Sequence, residues 1–509
     1  MTLSVSIVVA IIGVTLLITW FAAKRNNSAD SHYVAEGQVG PIGNGLAISG
    51  DYVSAASFLG ITGLIGLSGF SGFYLATAVP LAYLLVLLII AEPLRNLGRF
   101  TLADAVAARF SGRDLRACLA VTTIVISAMY MVIQFVGAGL LVQALLGLKF
   151  WVAVVVLGVL MVVYTMFGGM LATTWVQVLK TGLLLTGTAL IVCLVLAKYG
   201  PSPLHVVSSL PDSATTAHPL STTKTFDTVS QQLALALGVM GLPHVMVRFL
   251  TVKDATAARK SGIVALWVFS AFYVVLPFIG YGALRAIGAG EIKAAHPQGN
   301  LAVVQLARSL GGPALEAAII GITLATILAV LAGVAIATSG AFAHDLYTHV
   351  IKKGKTSNDQ QLKVARLSLL GIAAVAMMLA LGAKGFNLGF LANVAFAVAA
   401  STSMPVLLLT IYWRGFNRVG AIWALVGGLV SSLGLVAVSP NILGPTGLVH
   451  GIEPLFPLTI PALVSVPIGF LCAVIGSRIG RGDAQAAGVP YEEIERAALL
   501  GTRHVGASR

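Results

Sequence analysis

Long and nearly uncharged apolar runs follow one another along almost the whole chain. A membrane-spanning helix needs about 20 mostly apolar residues, and only 10% of these residues are charged, against about 25% in an ordinary soluble domain. The sequence therefore predicts an all-α integral membrane protein with about thirteen spans. The predicted spans are 3–21, 41–67, 73–91, 117–147, 150–167, 171–197, 228–247, 262–284, 312–343, 367–383, 385–413, 419–438 and 454–477.

The basic residues are spread unevenly over the loops between these spans. The chain carries 31 Lys and Arg against 18 Asp and Glu, and most of the 31 fall in every second loop. Because basic loops stay on the cytoplasmic side, thirteen spans predict an outside N-terminus and an inside C-terminus in a bacterial-type cytoplasmic membrane. The excess positive charge thus indicates topology rather than nucleic-acid binding. Predicted inside residues include Lys24, Arg25, Arg95, Arg109, Arg248, Lys253 and Lys352.

One membrane domain, residues 1–477, followed by a cytoplasmic tail, 478–509, is the predicted organisation. The Pro-, Ser- and Thr-containing loop 198–230 is the longest irregular stretch between spans, and it separates two sets of five spans. The first span has basic residues after it rather than before it, so a retained helix is expected instead of a secretory signal peptide. The predicted segments are 1–40 (leading helix and loop), 41–197 (first set), 228–413 (second set) and 419–477 (two further helices).

Two spans in corresponding positions of the two sets contain residues that weaken a helix. Residues 43–60 mix glycines with polar groups at mid-membrane depth, and residues 237–244 contain Pro243, which removes a backbone donor. Transporters built from inverted repeats bind substrate and ion where such paired helices are interrupted. The alternative is that these residues serve close helix packing, as Gly and Pro often do in membranes.

Four ionisable side chains fall inside the predicted spans: Asp51, Lys180, His244 and Glu316. A charge at the bilayer centre costs about 2.5–3.5 kcal/mol on insertion scales, so each needs a partner, water or a function. Asp51 is interpreted as functional. Lys180 has either a functional role or a pairing with Asp51 or with a freed carbonyl. His244 is either a packing histidine or a gate or proton carrier, and Glu316 is expected at the outer interface.

No pattern typical of an enzyme accompanies these charges. The sequence shows no Ser/His/Asp arrangement, phosphate loop or metal-binding motif. Cys118, Cys193 and Cys472 lie singly in apolar runs, which predicts neither a disulfide framework nor a zinc site. A transporter without a cofactor is therefore expected, with its oligomeric state open.

Five stretches, at 45–60, 91–101, 167–177, 241–249 and 344–347, carry a resemblance to a known family. The chain resembles the sodium:solute symporter family, and most closely its acetate permease branch of cation/acetate or short-chain monocarboxylate symporters. This resemblance implies a leucine-transporter-type fold, with an inverted repeat of spans 2–6 and 7–11. It also implies secondary active uptake of a small monocarboxylate such as acetate, propionate or pyruvate, coupled to inward flow of Na⁺ or H⁺.

The resemblance also implies where a cation would bind. Sodium-coupled relatives hold one Na⁺ between the broken second span and the ninth, through backbone carbonyls and two hydroxyls. The matching carbonyls are those of Gly50, Val53 and Thr326. The two hydroxyl positions fall on Ala329 and Val330, which carry no hydroxyl.

A carboxylate that many relatives place near this ion is also missing, because its position falls on Thr174. Asp51 lies next to a carbonyl ligand and could restore an oxygen and a negative charge. It could equally be the protonatable group of an H⁺-coupled carrier, since a carboxyl desolvated at membrane depth binds protons more readily. Both readings of Asp51, and hence sodium and proton coupling, stay open.

Several residues near the first break are predicted to bind the substrate. The interrupted helix offers free N–H groups and a positive dipole end to a carboxylate, and Tyr130 and Gln134 share one helix face. Interhelical hydrogen bonding is the alternative for that pair. His244 matches the family's inner aromatic gate. The predicted substrate-binding residues are Ser54, Ser57, Tyr130, Gln134, Lys180 and His244.

Other functions remain compatible with this sequence. The same fold could carry an amino acid, a sugar or urea, or form a passive channel. A membrane sensor is less expected, because the tail 478–509 is short. The predicted partners are a small carboxylate and the lipid bilayer.

Overall fold

The computed structural model describes residues 2–23, 33–215, 221–444, 447–481 and 489–501. The predictions for Lys24 and Arg25, for some of the loop 198–230 and for much of the tail 478–509 lie outside the described residues. Within those ranges the chain is helical, and an isolated bridge joins Leu443 and Val449. The predicted all-α class is confirmed.

The apolar runs form most of the helices. Over the described ranges, nine helices are long and apolar enough to cross a membrane, or eleven if each of two bent pairs is one span, and Val5–Ile18 and Phe150–Val163 are shorter apolar stretches. The helices are α1 (Thr2–Ala23), α2 (Pro41–Tyr52), α3 (Ala56–Ser68), α4 (Phe70–Leu97), α5 (Leu102–Ala107), α6 (Arg113–Leu146), α7 (Phe150–Tyr199), α8 (Pro203–Ser208), α9 (Asp212–Thr215), α10 (Thr222–Gly241), α11 (Pro243–Thr251), α12 (Ala255–Ile287), α13 (Ala289–Ala295), α14 (Ala302–Ile351), α15 (Asn358–Gly382), α16 (Leu388–Tyr412), α17 (Arg418–Ala437), α18 (Ala462–Ile479) and α19 (Tyr491–Leu500).

Both predicted helix breaks are present. Helices α2 and α3 meet at 51°, and α10 and α11 meet at 48°. Val53 leaves the helical conformation at the end of α2, with ψ of 97°. Leu242 is extended because it precedes Pro243, and the proline then occupies the first turn of α11, where its missing N–H is not needed. The Gly- and Pro-containing segments therefore interrupt the helices rather than only packing them.

Two long helices bend at glycines. In α7, Gly169 has φ of 62°, which coincides with the predicted boundary between the spans 150–167 and 171–197. In α14, Gly312 has φ of 66°. Helix α14 continues beyond residue 343, the predicted end of the ninth span, as a wider π-helical segment that reaches Ile351.

Helix α14 lies at the centre of the bundle, and its most apolar portion is almost entirely buried. It packs against α1, α6, α7 and α12, while α2 packs against α7 and α12. The first break therefore lies in the protein interior, where α7 and α14 approach it. This arrangement allows unpaired backbone groups at membrane depth.

Arg109 lies in the short connection after α5, and its side chain binds backbone carbonyls at the C-terminal end of α16. Its guanidinium is buried and donates hydrogen bonds only to backbone carbonyls. Carbonyls at a helix end have no intrahelical partner, so this one side chain satisfies several of them. The acceptors are the carbonyls of Leu409 (3.3 Å), Thr410 (2.7 Å), Trp413 (3.0 Å), Arg414 (2.8 Å) and Phe416 (3.0 Å).

The substitution Arg109→Ala is expected to destabilise the protein by about 3 kcal/mol, because buried carbonyls lose a charged donor. Thermal unfolding of the purified protein in detergent measures this effect. Arg113→Ala is the matched control, since Arg113 is exposed and should change the melting temperature little. Equal melting temperatures for the two variants would contradict the proposed role of Arg109.

Candidate functional site

Helices α2 and α7 touch at Gly50. A Cβ at this position would lie 2.5 Å from Gln177 Oε1 and 2.8 Å from Thr181 Oγ1. The Thr181 hydroxyl also donates to the carbonyl of Leu46 at 3.0 Å. Because only glycine permits this approach, the polar side chains of α7 reach the backbone of α2.

Asp51 forms a completely buried ion pair with Arg248. Arg248 Nε donates to Asp51 Oδ2 at 2.5 Å, and both side chains are 0% exposed. The amide of Gln177 donates to the other carboxylate oxygen and, at 2.9 Å, to the carbonyl of Ala329. The carboxylate therefore has a charged partner and a neutral donor, and it links α2, α7 and α11.

The prediction that Arg248 lies in an inside loop was wrong. Arg248 lies instead within α11, the helix that begins after the bend, and it is fully buried. Its NH1 also donates to Thr174 Oγ1 at 2.8 Å. A signal for this pairing was present, because a buried carboxylate such as Asp51 requires a cation and Arg248 lies one turn beyond His244.

Lys180 is bound to the end of α2. Its ammonium donates to the carbonyl of Gly50, and the residue is 1% exposed. Gly50 lies within the last turn of α2, whose carbonyls lack intrahelical partners because the helix ends at Tyr52. Of the alternatives for Lys180, the structure thus shows the pairing with a freed carbonyl.

These three charged side chains leave the break with an excess of positive charge. Asp51 carries one negative formal charge, whereas Lys180 and Arg248 each carry a positive one. All three are buried, so water screens them little. An anion bound nearby would be stabilised by this excess.

A small cavity of about 20 Å³ lies beside the break. This volume admits about one water molecule. Residues from α2, α3, α4, α6, α10, α12 and α16 surround it. Its polar lining consists of Ser54, Ser57 and Tyr130, which were predicted, and of Tyr52, Tyr273 and Asn393, which were not.

Two of these lining residues carry unpaired polar atoms. The Tyr52 hydroxyl and Asn393 Oδ1 are buried, and neither has a hydrogen-bond partner among the residues that the structure describes. Ser57 and Tyr273 instead bond each other, with 2.5 Å between their hydroxyl oxygens. Because buried polar groups are normally satisfied, the two unpaired atoms make this cavity the candidate ligand site.

The remaining predicted substrate residues lie outside this cavity. The lining does not include Gln134, Lys180 or His244. The His244 ring contacts the Tyr130 ring with 4.4 Å between their centroids, so it lies one side chain behind the cavity. Both His244 nitrogens and both Gln134 amide atoms lack partners within the described ranges. His244 thus packs against Tyr130 without a hydrogen bond to its nitrogens from the described residues, and interhelical bonding by Gln134 is not seen among them.

Comparison with known proteins gives the family. A model of the sodium:solute symporter family matches residues 32–428. The chain belongs to this family. The predicted resemblance is confirmed, and the chain is a multi-pass symporter of the cytoplasmic membrane rather than an enzyme.

Two curated relatives match this symporter over most of its length. The uncharacterized symporter YwcA of Bacillus subtilis is 44% identical over 478 residues, which cover 92% of each chain. The monocarboxylic acid transporter of Corynebacterium glutamicum is 38% identical over 506 residues, covering 94% of this chain and 92% of the relative. Both are described as transport proteins.

Two solved structures share the fold of this symporter. A substrate-bound, outward-open Na⁺-coupled sialic acid symporter has a TM-score of 0.72 and 17% identity, covering 96% of this chain and 98% of the other. The nucleobase-cation-symport-1 transporter Mhp1, in a closed conformation with bromovinylhydantoin, has a TM-score of 0.54 and 15% identity, with coverage of 92% and 98%. At these identities the similarity shows the fold alone.

Near the positions that the resemblance assigns to a sodium ion, two backbone carbonyl oxygens already accept hydrogen bonds from side chains. The Gly50 carbonyl accepts from Lys180, and the Ala329 carbonyl accepts from Gln177. Val53 ends α2 in an extended conformation. Thr326 Oγ1 is buried without a partner among the described residues, so it is the hydroxyl still available there.

A second buried charge cluster joins α5, α6 and the end of α14. Asp104, His344 and Asp345 place ligand-type atoms within 4.8 Å of one another. Arg116 NH1 already bonds Asp104 Oδ1 at 3.1 Å and Asp345 Oδ1 at 3.0 Å. Burial opposes ionisation of Asp104, but His344 and Arg116 outweigh it and hold the pKa of Asp104 below its usual range. This cluster is an ion-pair network that ties helices together.

Glu316, which is predicted to lie at the outer interface, is partly buried. Its side chain is 17% exposed and pairs with Arg308 at 3.5 Å. The pair lies near the start of the straight portion of α14, after the Gly312 bend. An exposed pair of this kind contributes little to stability.

Proposed function

We propose that this symporter carries a small monocarboxylate, such as acetate, propionate or pyruvate, inward together with Na⁺ or H⁺. The observation that carries the proposal is the excess positive charge of the buried Asp51, Lys180 and Arg248 beside a cavity with unpaired polar atoms. The relative described as a monocarboxylic acid transporter supports the same substrate class. A carboxylate brings the negative charge that this excess favours, and it can accept hydrogen bonds from the Tyr52 hydroxyl and from the amide nitrogen of Asn393.

The cavity offers a carboxylate donors on one side and apolar groups on the other. Ser54, Tyr52 and the Asn393 amide supply the polar side, while Phe396 and Val79 supply some of the apolar wall. Hydroxyl and amide groups bind a carboxylate without adding charge. The cavity has to widen to admit even acetate, which favours a substrate with a short carbon chain.

The proposed arrangement in the membrane has thirteen spans, with the N-terminus outside and the tail 478–509 inside. Residues 41–197 and 228–413 form two inverted repeats, preceded by residues 1–40 and followed by the helices of 419–477. The bent pairs α2–α3 and α10–α11, which begin the two repeats, support this assignment. The two shorter apolar stretches account for the remaining spans.

Transport then follows from alternating access around the break. A cation stabilises the outward-open state, and the carboxylate docks at the cavity beside α2 and α3. Rocking of the surrounding helices exposes both to the cytoplasm. The cation gradient drives accumulation of the carboxylate.

Labelled acetate uptake into proteoliposomes tests the substrate class. Accumulation above the outside concentration is expected when a cation gradient is imposed. Unlabelled propionate and pyruvate should compete, whereas proline, glucose and urea should not, because they lack the negative charge or the short chain that fits the cavity. Failure of the short carboxylates to compete would contradict the proposal, and flux without accumulation would indicate a channel.

A further inference from the structure

We propose that the Lys180 ammonium takes the place of a sodium ion at the break in α2, so that this symporter works without sodium. The inference rests on the proposed function only in taking the protein to be a cation-coupled carrier. It concerns which cation is coupled, and it arises from the contacts of Lys180 rather than from the substrate cavity.

The first observation is the contact itself. An ammonium and a sodium ion both carry one positive charge, and both bind backbone carbonyl oxygens. Lys180 reaches the Gly50 carbonyl from α7, and it can do so because Gly50 lets α2 and α7 approach closely. A cation that belongs to the chain is present at every encounter with substrate, whereas a dissolved ion must bind first.

The second observation is the loss of oxygen ligands on α14. Ala329 and Val330 are completely buried, and their side chains carry methyl groups only. The Ala329 carbonyl is bonded to Gln177. Hard cations bind in cages of several oxygens, and Thr326 with the Val53 carbonyl offers too few.

The third observation is the net positive charge of the side chains buried around the break. Lys180 and Arg248 lie around one carboxylate, that of Asp51. A sodium ion added here would place three positive charges against one negative charge in a buried site, which is strongly unfavourable. The coupling ions considered are Na⁺ and H⁺. Since these three observations argue against Na⁺, we infer that H⁺ is the coupling ion.

Imposed gradients test the inference on the wild-type protein in proteoliposomes. A pH gradient in sodium-free potassium buffer is expected to drive acetate accumulation. A sodium gradient at equal pH on both sides is expected to give the same level as no gradient. Accumulation driven by the sodium gradient would overturn the inference.

A second test measures sodium binding to the detergent-purified protein, and it does not depend on the identity of the substrate. A bound ion stabilises a folded protein by mass action, so melting temperatures in NaCl and in equal KCl are expected to coincide. A stabilisation specific to sodium would overturn the inference. If neither gradient drives acetate uptake while the melting temperatures coincide, the proposed substrate is wrong and the inference stands.

A variant of Lys180 completes the test. Lys180→Met removes the ammonium at similar length, and uptake driven by a pH gradient should fall at least about tenfold, because the α2 break then lacks its cation. Lys198→Met is the matched control, since Lys198 is exposed at the end of the same helix. Wild-type uptake by Lys180→Met would overturn the inference. If that variant does not fold, the inference is tested by the sodium-gradient uptake and by the melting temperatures of the wild-type protein in NaCl and KCl.

Discussion

Arg248→Met is expected to abolish uptake and to yield little folded protein. The substitution leaves the Asp51 carboxylate buried without its charged partner, and removing one member of a buried ion pair costs about 3–5 kcal/mol. This loss is a large share of the total stability of a typical domain. Size-exclusion profiles and thermal unfolding of the purified protein measure the effect, together with uptake in proteoliposomes.

A double substitution measures the interaction energy between Asp51 and Arg248 separately from the contribution of each residue. Asp51→Asn combined with Arg248→Gln removes both charges and keeps hydrogen-bonding side chains, so the double variant is expected to be more stable than Arg248→Gln alone. Residues in direct contact show coupling energies of about 0.5–3 kcal/mol in such cycles. Additive effects of the two substitutions would show that Asp51 and Arg248 do not interact.

An exposed pair is the control for this prediction. Arg259 lies 3.5 Å from Glu92, and its side chain is 65% exposed. Arg259→Met should change stability by less than about 1 kcal/mol, because exposed pairs are screened by water. The contrast between the two arginines therefore tests the effect of burial rather than the effect of losing an arginine.

Asn393→Ala is expected to raise the KM for acetate about 10- to 100-fold, which corresponds to losing one hydrogen bond to a charged group. The amide lines the cavity, and its oxygen has no partner among the described residues. The amide is therefore not held in place through its oxygen, and its Nδ2 can donate to a substrate carboxylate. Initial uptake rates over a range of acetate concentrations measure KM, and thermal unfolding shows whether the fold is kept.

The matched control for Asn393 is Asn358→Ala. Asn358 is exposed at the start of α15, and its replacement should leave the KM unchanged. Asn393→Leu keeps the branched shape of the side chain but removes every hydrogen-bonding atom, so it should impair acetate uptake at least as strongly as the alanine variant. A wild-type KM in both Asn393 variants would mean that acetate binds elsewhere.

The membrane fold could be predicted from the sequence because its signals are local. A run of apolar residues becomes a spanning helix whatever its neighbours are. The breaks at Val53 and Leu242 arise from glycines and a proline within a few residues of each bend. Ser54, Ser57 and Tyr130, which line the cavity, could be proposed for the same reason, since two of them lie at a break and one lies on a polar helix face.

The pairing of charges could not be predicted in this way. Asp51 and Arg248 are 197 positions apart, and Lys180 and Gly50 are 130 apart. Hydropathy assigned Arg248 to an inside loop because it could not show that this residue lies within a buried helix, α11. Asn393 gave no signal, because a single amide in an apolar helix is common.

The order of residues along the chain was enough to specify a bundle of membrane helices with two interruptions and a few charges within it. Which charge meets which partner, and that Lys180 holds the Gly50 carbonyl, became clear from the packed bundle alone. Helix formation depends on neighbours along the chain. Electrostatic and hydrogen-bond energies depend instead on distances across the bundle, and helix packing sets those distances.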